Sequence, residues 1–244
     1  MVRIGIIGAA GRMGGAVADV LADSAEASLA GGADECDDVG ALARTSDVLV
    51  DFSAPAALAA NLDAAAEAGV AIVVGTTGLA AAHEALLEAA AARVAVLQSA
   101  NMSLGVNLLA HLVREAAARL GPDWDIEIVE MHHRMKVDAP SGTALLLGRA
   151  AAEGRGIDLE PASERGRDGI TGARQPGRIG FASLRGGSVA GDHQLIFATE
   201  GERIELGHRA ESRAIFARGA VKAALWLAGK PAGRYAMGDV LGLA

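Results

Sequence analysis

The chain has 244 residues, room for one large or two small domains. Apolar residues make up 51 % of it but aromatics only 3 %, so any core must be aliphatic and closely packed on alanine. A net charge of −8 argues against broad contact with a nucleic-acid backbone, and a single cysteine, Cys36, excludes an internal disulfide.

Cys36 stands among acidic residues and is given no redox role; its solitude fits a reducing compartment. The N-terminal residues form a strand-like run, and no secretory leader is expected. Residues 94–113 lack Asp, Glu, Lys and Arg and are long enough to span a bilayer. They also carry Gln98, Ser99, Asn101, Ser103, Asn107 and His111, and read better as strand, loop and helix. A soluble, cytoplasmic protein without membrane or nucleic-acid partners is expected.

Residues 2–7 form a short apolar run, as in a strand buried on both faces. The run leads into Gly8-Ala9-Ala10-Gly11-Arg12-Met13-Gly14 and then a helix with apolar Val17, Val20 and Leu21. Strand, glycine turn and helix are the setting of a dinucleotide loop. Gly8 suits the tight turn, Gly11 a close approach to pyrophosphate, and Gly14 the packing of helix on strand. The spacing is GxxGxxG, and a plain turn between strand and helix is the alternative reading. A second strand, residues 28–33, ends at Asp34-Glu35, about 20 residues beyond the glycine turn, where a carboxylate can accept from ribose hydroxyls. No Lys or Arg occurs between Val17 and Ala43 to neutralise a 2′-phosphate, so NADH is expected to serve at least as well as NADPH. Arg12 is the one residue able to favour NADPH. Asp37 and Asp38 read as a solvated acidic loop.

Three further strand–helix units follow. Strands are expected at residues 48–52, 71–74 and 94–97, the first two leading through turns into alanine-rich helices and the third into a helix through Leu120. The alternation implies a doubly wound parallel sheet, whose ligands bind beyond the carboxyl ends of the strands. Gly75-Thr76-Thr77 and Ser99-Ala100-Asn101-Met102 stand at two such ends, with small hydrogen-bonding residues suited to a nicotinamide. Either is also readable as a capped turn.

After Gly121-Pro122 the pattern changes. Residues 125–131 alternate acid and aliphatic, a strand with one polar face. Then come His132, His133, Arg134 and Lys136 within five positions, Asp138, and Pro140-Ser141-Gly142-Thr143 leading into an apolar run. Ser141 is a candidate N-cap. A cationic loop between a strand end and a helix start can hold an anion through side chains and through free backbone N–H groups, here those of Ser141, Gly142 and Thr143. A histidine of ordinary pKa, about 6.5, can donate a proton near neutral pH, and Lys136 adds positive charge. No cysteine and few other histidines lie nearby, so no metal is expected. Arg134 and Asp138 read as structural, His111 and His208 as packing residues, and Arg185 is left without a role. Residues 154–178 show little periodicity and are expected to be a long, mobile surface loop. Strand-like runs at 179–185, 193–199 and 203–208 suggest an antiparallel arrangement in a second, α+β domain. A helix over 213–227 returns to the first domain. The expected boundaries are residues 1–103 plus 213–244, and residues 104–212.

The run EIVEMHHRMKVDAPSGTA, residues 127–144, resembles the signature of the 4-hydroxy-tetrahydrodipicolinate reductase family, the dihydrodipicolinate reductases of lysine and diaminopimelate biosynthesis. The resemblance extends in order through GAAGRMG, DFS-P, GTTG, SANMS, GRIGFASLRG and ALWLAGK. It implies a Rossmann-like doubly wound domain completed by a C-terminal helix, and an α+β substrate domain with a mixed or antiparallel sheet that forms a homotetramer. It implies NAD(P)H as cofactor and a small dicarboxylate as substrate. The cofactor contacts it implies are Gly8, Ala9, Ala10, Gly11, Arg12, Met13, Asp34, Gly75, Thr76, Thr77, Ser99, Ala100, Asn101 and Met102. It further implies His132 as proton donor, Lys136 as its catalytic partner, and His133, Gly142 and Thr143 as substrate binders. Family members that use NADPH well often carry Arg after the ribose-binding acid, where this chain has Glu35. The segment between Asp38 and Asp47 is too short for the extra strand of longer members. Two rival readings are another Rossmann imine reductase or amino-acid dehydrogenase, which does not need the Ser141–Thr143 anion turn, and a non-catalytic NAD sensor, which does not need His132 and Lys136.

Overall fold

The structure, a computed structural model, describes residues 1–243. In chain order its elements begin β1 (Val2–Ile7), α1 (Arg12–Ala22), β2 (Ala27–Ala33), α2 (Val39–Thr45), β3 (Val48–Asp51), α3 (Leu58–Ala68), β4 (Ala71–Val74), α4 (Ala81–Ala91) and β5 (Ala95–Gln98). There follow α5 (Leu104–Leu120), β6 (Asp125–His132), α6 (Gly142–Arg155), α7 (Leu159–Ala162), β7 (Ser163–Arg165), β8 (Ile179–Arg185), β9 (Gly191–Thr199) and β10 (Glu202–Ala210). The chain ends with α8 (Ala214–Leu227), β11 (Gly233–Tyr235) and α9 (Met237–Leu241). It divides into two compact units, Met1–Leu104 together with the chain from Ala214 on, and Gly105–Arg213.

The first unit is a six-stranded parallel sheet in the order β11-β5-β4-β3-β1-β2. Its four inner strands, β1, β3, β4 and β5, are largely apolar on both faces because both faces are covered. Ile4, Ile6, Val48, Val50, Val73 and Leu97 pack with Val17 and Leu21 of α1 and with Ala217, Ala220, Val221, Ala224 and Leu227 of α8. Ile7, Leu49, Ile72, Val74 and Val96 pack on the other side with Leu42 of α2, Leu58 and Leu62 of α3, and Leu87 of α4. This is the doubly wound architecture expected from the alternating pattern. The acidic loop, however, is more than solvated: Asp37 accepts from the Asp34 N–H at 2.8 Å, and Asp38 caps α2 by accepting from the Ala41 N–H at 2.9 Å.

The second unit has a five-stranded sheet in the order β10-β9-β6-β8-β7. β6 and β10 pair antiparallel with β9, whereas β8 pairs parallel with both β6 and β7. The sheet is therefore mixed, not antiparallel throughout, because β8 enters from the long 166–178 segment instead of a hairpin. One face packs on α5 and α6 through Leu109, Val113, Ile126, Ile128, Leu147, Phe181, Leu195 and Phe197. The expected loop at 154–178 is in part structured, since α7 and β7 fall inside it. Arg167 and Arg174 tie the rest to β6 through Glu127, at 2.8 and 2.9 Å, and Arg174 also reaches Asp125. The apolar 94–113 stretch resolves into β5, a loop and the start of α5, and among the described residues no helix is long and apolar enough to cross a membrane.

Candidate functional site

In the first unit, β1 lies between β2 and β3, so the windings to either side part at β1 and leave a crevice at its carboxyl end. The glycine turn sits there. Gly8 has φ +80°, and a Cβ on it would lie 2.8 Å from the Phe52 carbonyl oxygen, so no other residue fits. A Cβ on Gly14 would overlap the backbone of Gly8 and Ala9. Gly11 is the N-cap of α1, with Ala10, Gly11 and Arg12 exposed around the helix start and Ala9 and Met13 packed against the core. The Asp34 carboxylate accepts from the Ala10 N–H at 3.0 Å and so stands at this turn.

The two other loops occupy neighbouring strand ends. Gly75 N–H donates to the Asp51 carbonyl at 2.9 Å, with the Phe52 ring against its Cα. Thr76 is buried and its hydroxyl lies 3.3 Å from the Asp51 carboxylate, which also holds Ser53 and Asn61; Thr77 is exposed. Ser99 N–H donates to the Val74 carbonyl at 3.1 Å, its hydroxyl donates to the Asn101 carbonyl at 2.8 Å, and the Asn101 side chain accepts from the Ser103 N–H. Ala100 is exposed, whereas the Met102 side chain is buried in the core. All fourteen candidate cofactor residues thus lie at the carboxyl edge of one parallel sheet. A glycine-only turn, an exposed helix N-terminus and a carboxylate beside it fit a dinucleotide.

In the second unit the alternation of β6 decides which side chains enter. Ile126, Ile128, Glu130 and His132 are the buried positions. The covered face thus changes from aliphatic to ionisable along one strand, and the acid of that face is buried, not solvated. The His132 ring places Nδ1 2.5 Å from Glu130 Oε2. The same oxygen accepts from Arg185 at 2.9 Å, while Glu130 Oε1 accepts from the Ser141 N–H at 3.3 Å. Arg185 also donates to the Asp138 carbonyl at 2.6 Å. His193, cross-strand partner of Glu130, sets its ring edge-on to His132 with centroids 5.1 Å apart and its Nε2 3.0 Å from the Ser141 hydroxyl.

These contacts set the charges. Burial opposes ionisation of Glu130, but hydrogen bonds from Arg185, His132 and Ser183 outweigh it and hold the carboxyl below its ordinary value. Burial also pushes the His132 imidazole below 6.5, with Glu130 pulling the other way and Lys136 and Arg185 adding to the depression. The expectation of an unperturbed histidine is therefore corrected. Buried more deeply, His193 is pushed down to about 4, by burial first and by His132 second. Lys136 is held on Asp138 at 2.7 and 2.9 Å, which lowers the Asp138 carboxyl.

His132, Lys136 and Ser141 are brought together by this network. Ser141 is 1 % exposed, caps α6 through the Ala144 N–H and faces His193, so its hydroxyl and N–H serve the frame of the site. Gly142 is exposed with open space beside its Cα, Thr143 is half-buried, and Arg134 is exposed. His133 is half-buried with Nε2 3.2 Å from Arg213. Glu130, Arg185, His193 and Arg213 went unassigned in the sequence. The equal parity of residues 126, 128, 130 and 132 was a signal for Glu130; the other three arrive through pairing or chain return.

The sequence matches the family model described as dihydrodipicolinate reductase N-terminus over residues 2–102, and its C-terminus counterpart over residues 105–241. It is 61 % identical to 4-hydroxy-tetrahydrodipicolinate reductase of Zymomonas mobilis subsp. mobilis, across 99 % of this chain and 98 % of that one. It is 54 % identical to the enzyme of that name from Parvibaculum lavamentivorans, with the same coverage. Among solved structures, a dipicolinate-bound dihydrodipicolinate reductase from a Paenisporosarcina species superposes with a TM-score of 0.79 at 25 % identity, covering 97 % of each chain. Over both of its units, this chain belongs to the dihydrodipicolinate reductase family.

Proposed function

We propose that this chain reduces 4-hydroxy-tetrahydrodipicolinate, by way of its dehydrated form, to tetrahydrodipicolinate with NAD(P)H, as a cytoplasmic step of lysine and diaminopimelate biosynthesis. The observation that carries this reading is a buried histidine, His132, fixed by Glu130 next to Lys136 and the N-terminus of α6, in a chain that matches the reductase family from end to end.

The first unit is the dinucleotide-binding domain, with contacts from Gly8 to Met13, Asp34, Gly75 to Thr77 and Ser99 to Met102. When bound, the nicotinamide supplies a hydride. Asp34 takes the adenosine ribose, and the adjacent carboxylates of Asp34 and Glu35 disfavour a 2′-phosphate, so NADH is at least as good a donor as NADPH. Arg12, exposed in the glycine turn, is the counterweight.

The second unit is the substrate-binding and oligomerisation domain. Its substrate is a conjugated cyclic imine carrying two carboxylates; once the ring is reduced, the resulting enamine needs a proton. His132 gives it. Lys136 attracts the dianion and stabilises developing negative charge. His133 and the N-terminus of α6 at Gly142 and Thr143 bind a carboxylate, the helix dipole favouring the anion there. The dipicolinate held by the Paenisporosarcina relative is a ligand of this chemistry. The sheet face opposite the core carries Val129, Met131, Ala182 and a half-exposed Leu184, a surface suited to assembling the homotetramer.

The purified chain, given the product of dihydrodipicolinate synthase with NADH or NADPH, should consume reduced nicotinamide, seen as loss of its absorbance. Absence of turnover with both donors would refute the assignment.

A further inference from the structure

Glu130 touches three groups that the reaction needs held in fixed relation. Oε2 faces the His132 ring at Nδ1 and accepts from Arg185, and Oε1 accepts from the N–H of Ser141, the N-cap residue of α6. We infer that Glu130 is a positioning residue that locks His132 with its proton on Nδ1, leaves Nε2 as the atom that exchanges a proton with the substrate, and ties that histidine to the carboxylate-binding start of α6.

The chemistry of the contacts supports each part. Arg185 and a backbone N–H are donors only, so Glu130 must be an acceptor at both oxygens. A carboxylate 2.5 Å from Nδ1 then fixes the hydrogen on Nδ1. Nε2 faces the Cα of Gly191, where the absence of a side chain leaves space beside the ring. The charged and titratable groups around His132 come from four directions: Glu130 on its own strand, Arg185 on β8, His193 on β9, and Lys136 with Asp138 in the following loop. Of these, Glu130 is the anion that touches the ring, so it raises the proton affinity of His132 against burial and against the nearby cations. An amide cannot replace it. Glutamine has one acceptor oxygen for donors on two sides, and its NH2 must confront either Ser141 N–H or the Arg185–His132 pair.

This inference rests on the proposed reaction, in which His132 is the acid. Two measurements test it. In the wild-type chain, 15N–1H correlation spectra of the His132 ring above its pKa should show Nδ1 protonated and Nε2 bare. Finding the hydrogen on Nε2 instead would overturn the proposal, without any substituted protein having to fold. In Glu130→Gln, kcat should fall by roughly a hundredfold or more, the scale of a general acid's contribution to rate. The limb of the kcat–pH profile on which activity declines should move to lower pH, because the acid form of His132 has lost its neighbouring anion. Glu130→Asp, which keeps the charge, should hold the limb near its wild-type position. A purely structural Glu130 would lower the amount of active enzyme and leave the limb in place, and that result would also overturn the proposal. Failure of the wild-type chain to turn over would instead strike the proposed function, while the spectra would still report the tautomer.

Discussion

At the scale of single residues, the space around His132 is as informative as its partners. A Cβ added to Gly191 would stand 3.0 Å from His132 Nε2 and 3.5 Å from the His193 ring. The His132 ring cannot swing away without breaking its bond to Glu130. Gly191 also has φ +155°, which an alanine adopts only with strain, so Gly191→Ala should lower the melting temperature and, in the enzyme that does fold, lose roughly tenfold to a hundredfold in kcat, because a small displacement of a reacting group is costly. Steady-state kinetics beside a thermal melt decide this; full activity would mean that Nε2 does not face the substrate. His132 and Lys136 were legible in the sequence because reactive side chains crowd a short run. His193 and Arg185 were not, since they lie 61 and 53 residues further on and are delivered by strand pairing, opposite Glu130 and His132 respectively.

At the scale of elements, β6, β8 and β9 share one design. Their covered face is apolar at Ile126, Ile128, Ile179, Phe181, Leu195 and Phe197, then turns polar at Glu130, His132, Arg185 and His193. The packed end anchors the polar end, so the proposed proton donor, His132, stands on a rigid strand. In the first unit, α8 plays the anchoring part. Gly219 lies against the Met102 carbonyl so closely that an added Cβ would collide with it. Gly219→Ala should then push α8 and the 99–102 loop apart, costing about 1 to 3 kcal/mol of stability and raising the KM for the dinucleotide. Calorimetry and a cofactor titration test this, and an unchanged melt with an unchanged KM would show that the loop does not depend on the helix. The long parallel-sheet pattern and α8 were readable from period and composition. The seven-residue α2 and the three-residue β11 were not, because fewer than two periods of either pattern are too few to stand out and such short elements form by docking on what is already there.

At the scale of the whole molecule, the histidines with depressed pKa values, His132, His193 and His208, all belong to the second unit. A histidine whose folded pKa lies below its unfolded value leaves the unfolded chain holding more protons, so stability falls as pH drops. For His193 the window runs from about 6.5, the unfolded value, to about 4, the folded one. Its neutral form contributes fully above that window, and about 3 kcal/mol of stability is lost across it. Glu127, Glu130 and Asp138, with folded values below their ordinary ones, add a loss that sets in only lower, as each carboxylate takes its proton. Acid unfolding should therefore begin in residues 105–213 while the parallel sheet of the first unit is still protected. Hydrogen exchange at about pH 5, compared with about pH 7, should show faster opening of β6 and β9 than of β1 and β4. His193→Gln, which keeps a polar partner for the Ser141 hydroxyl and does not titrate, should flatten the dependence of Tm on pH between about 4 and 6.5. Parallel Tm–pH curves for the two proteins would show that the buried imidazole is not the source of acid sensitivity.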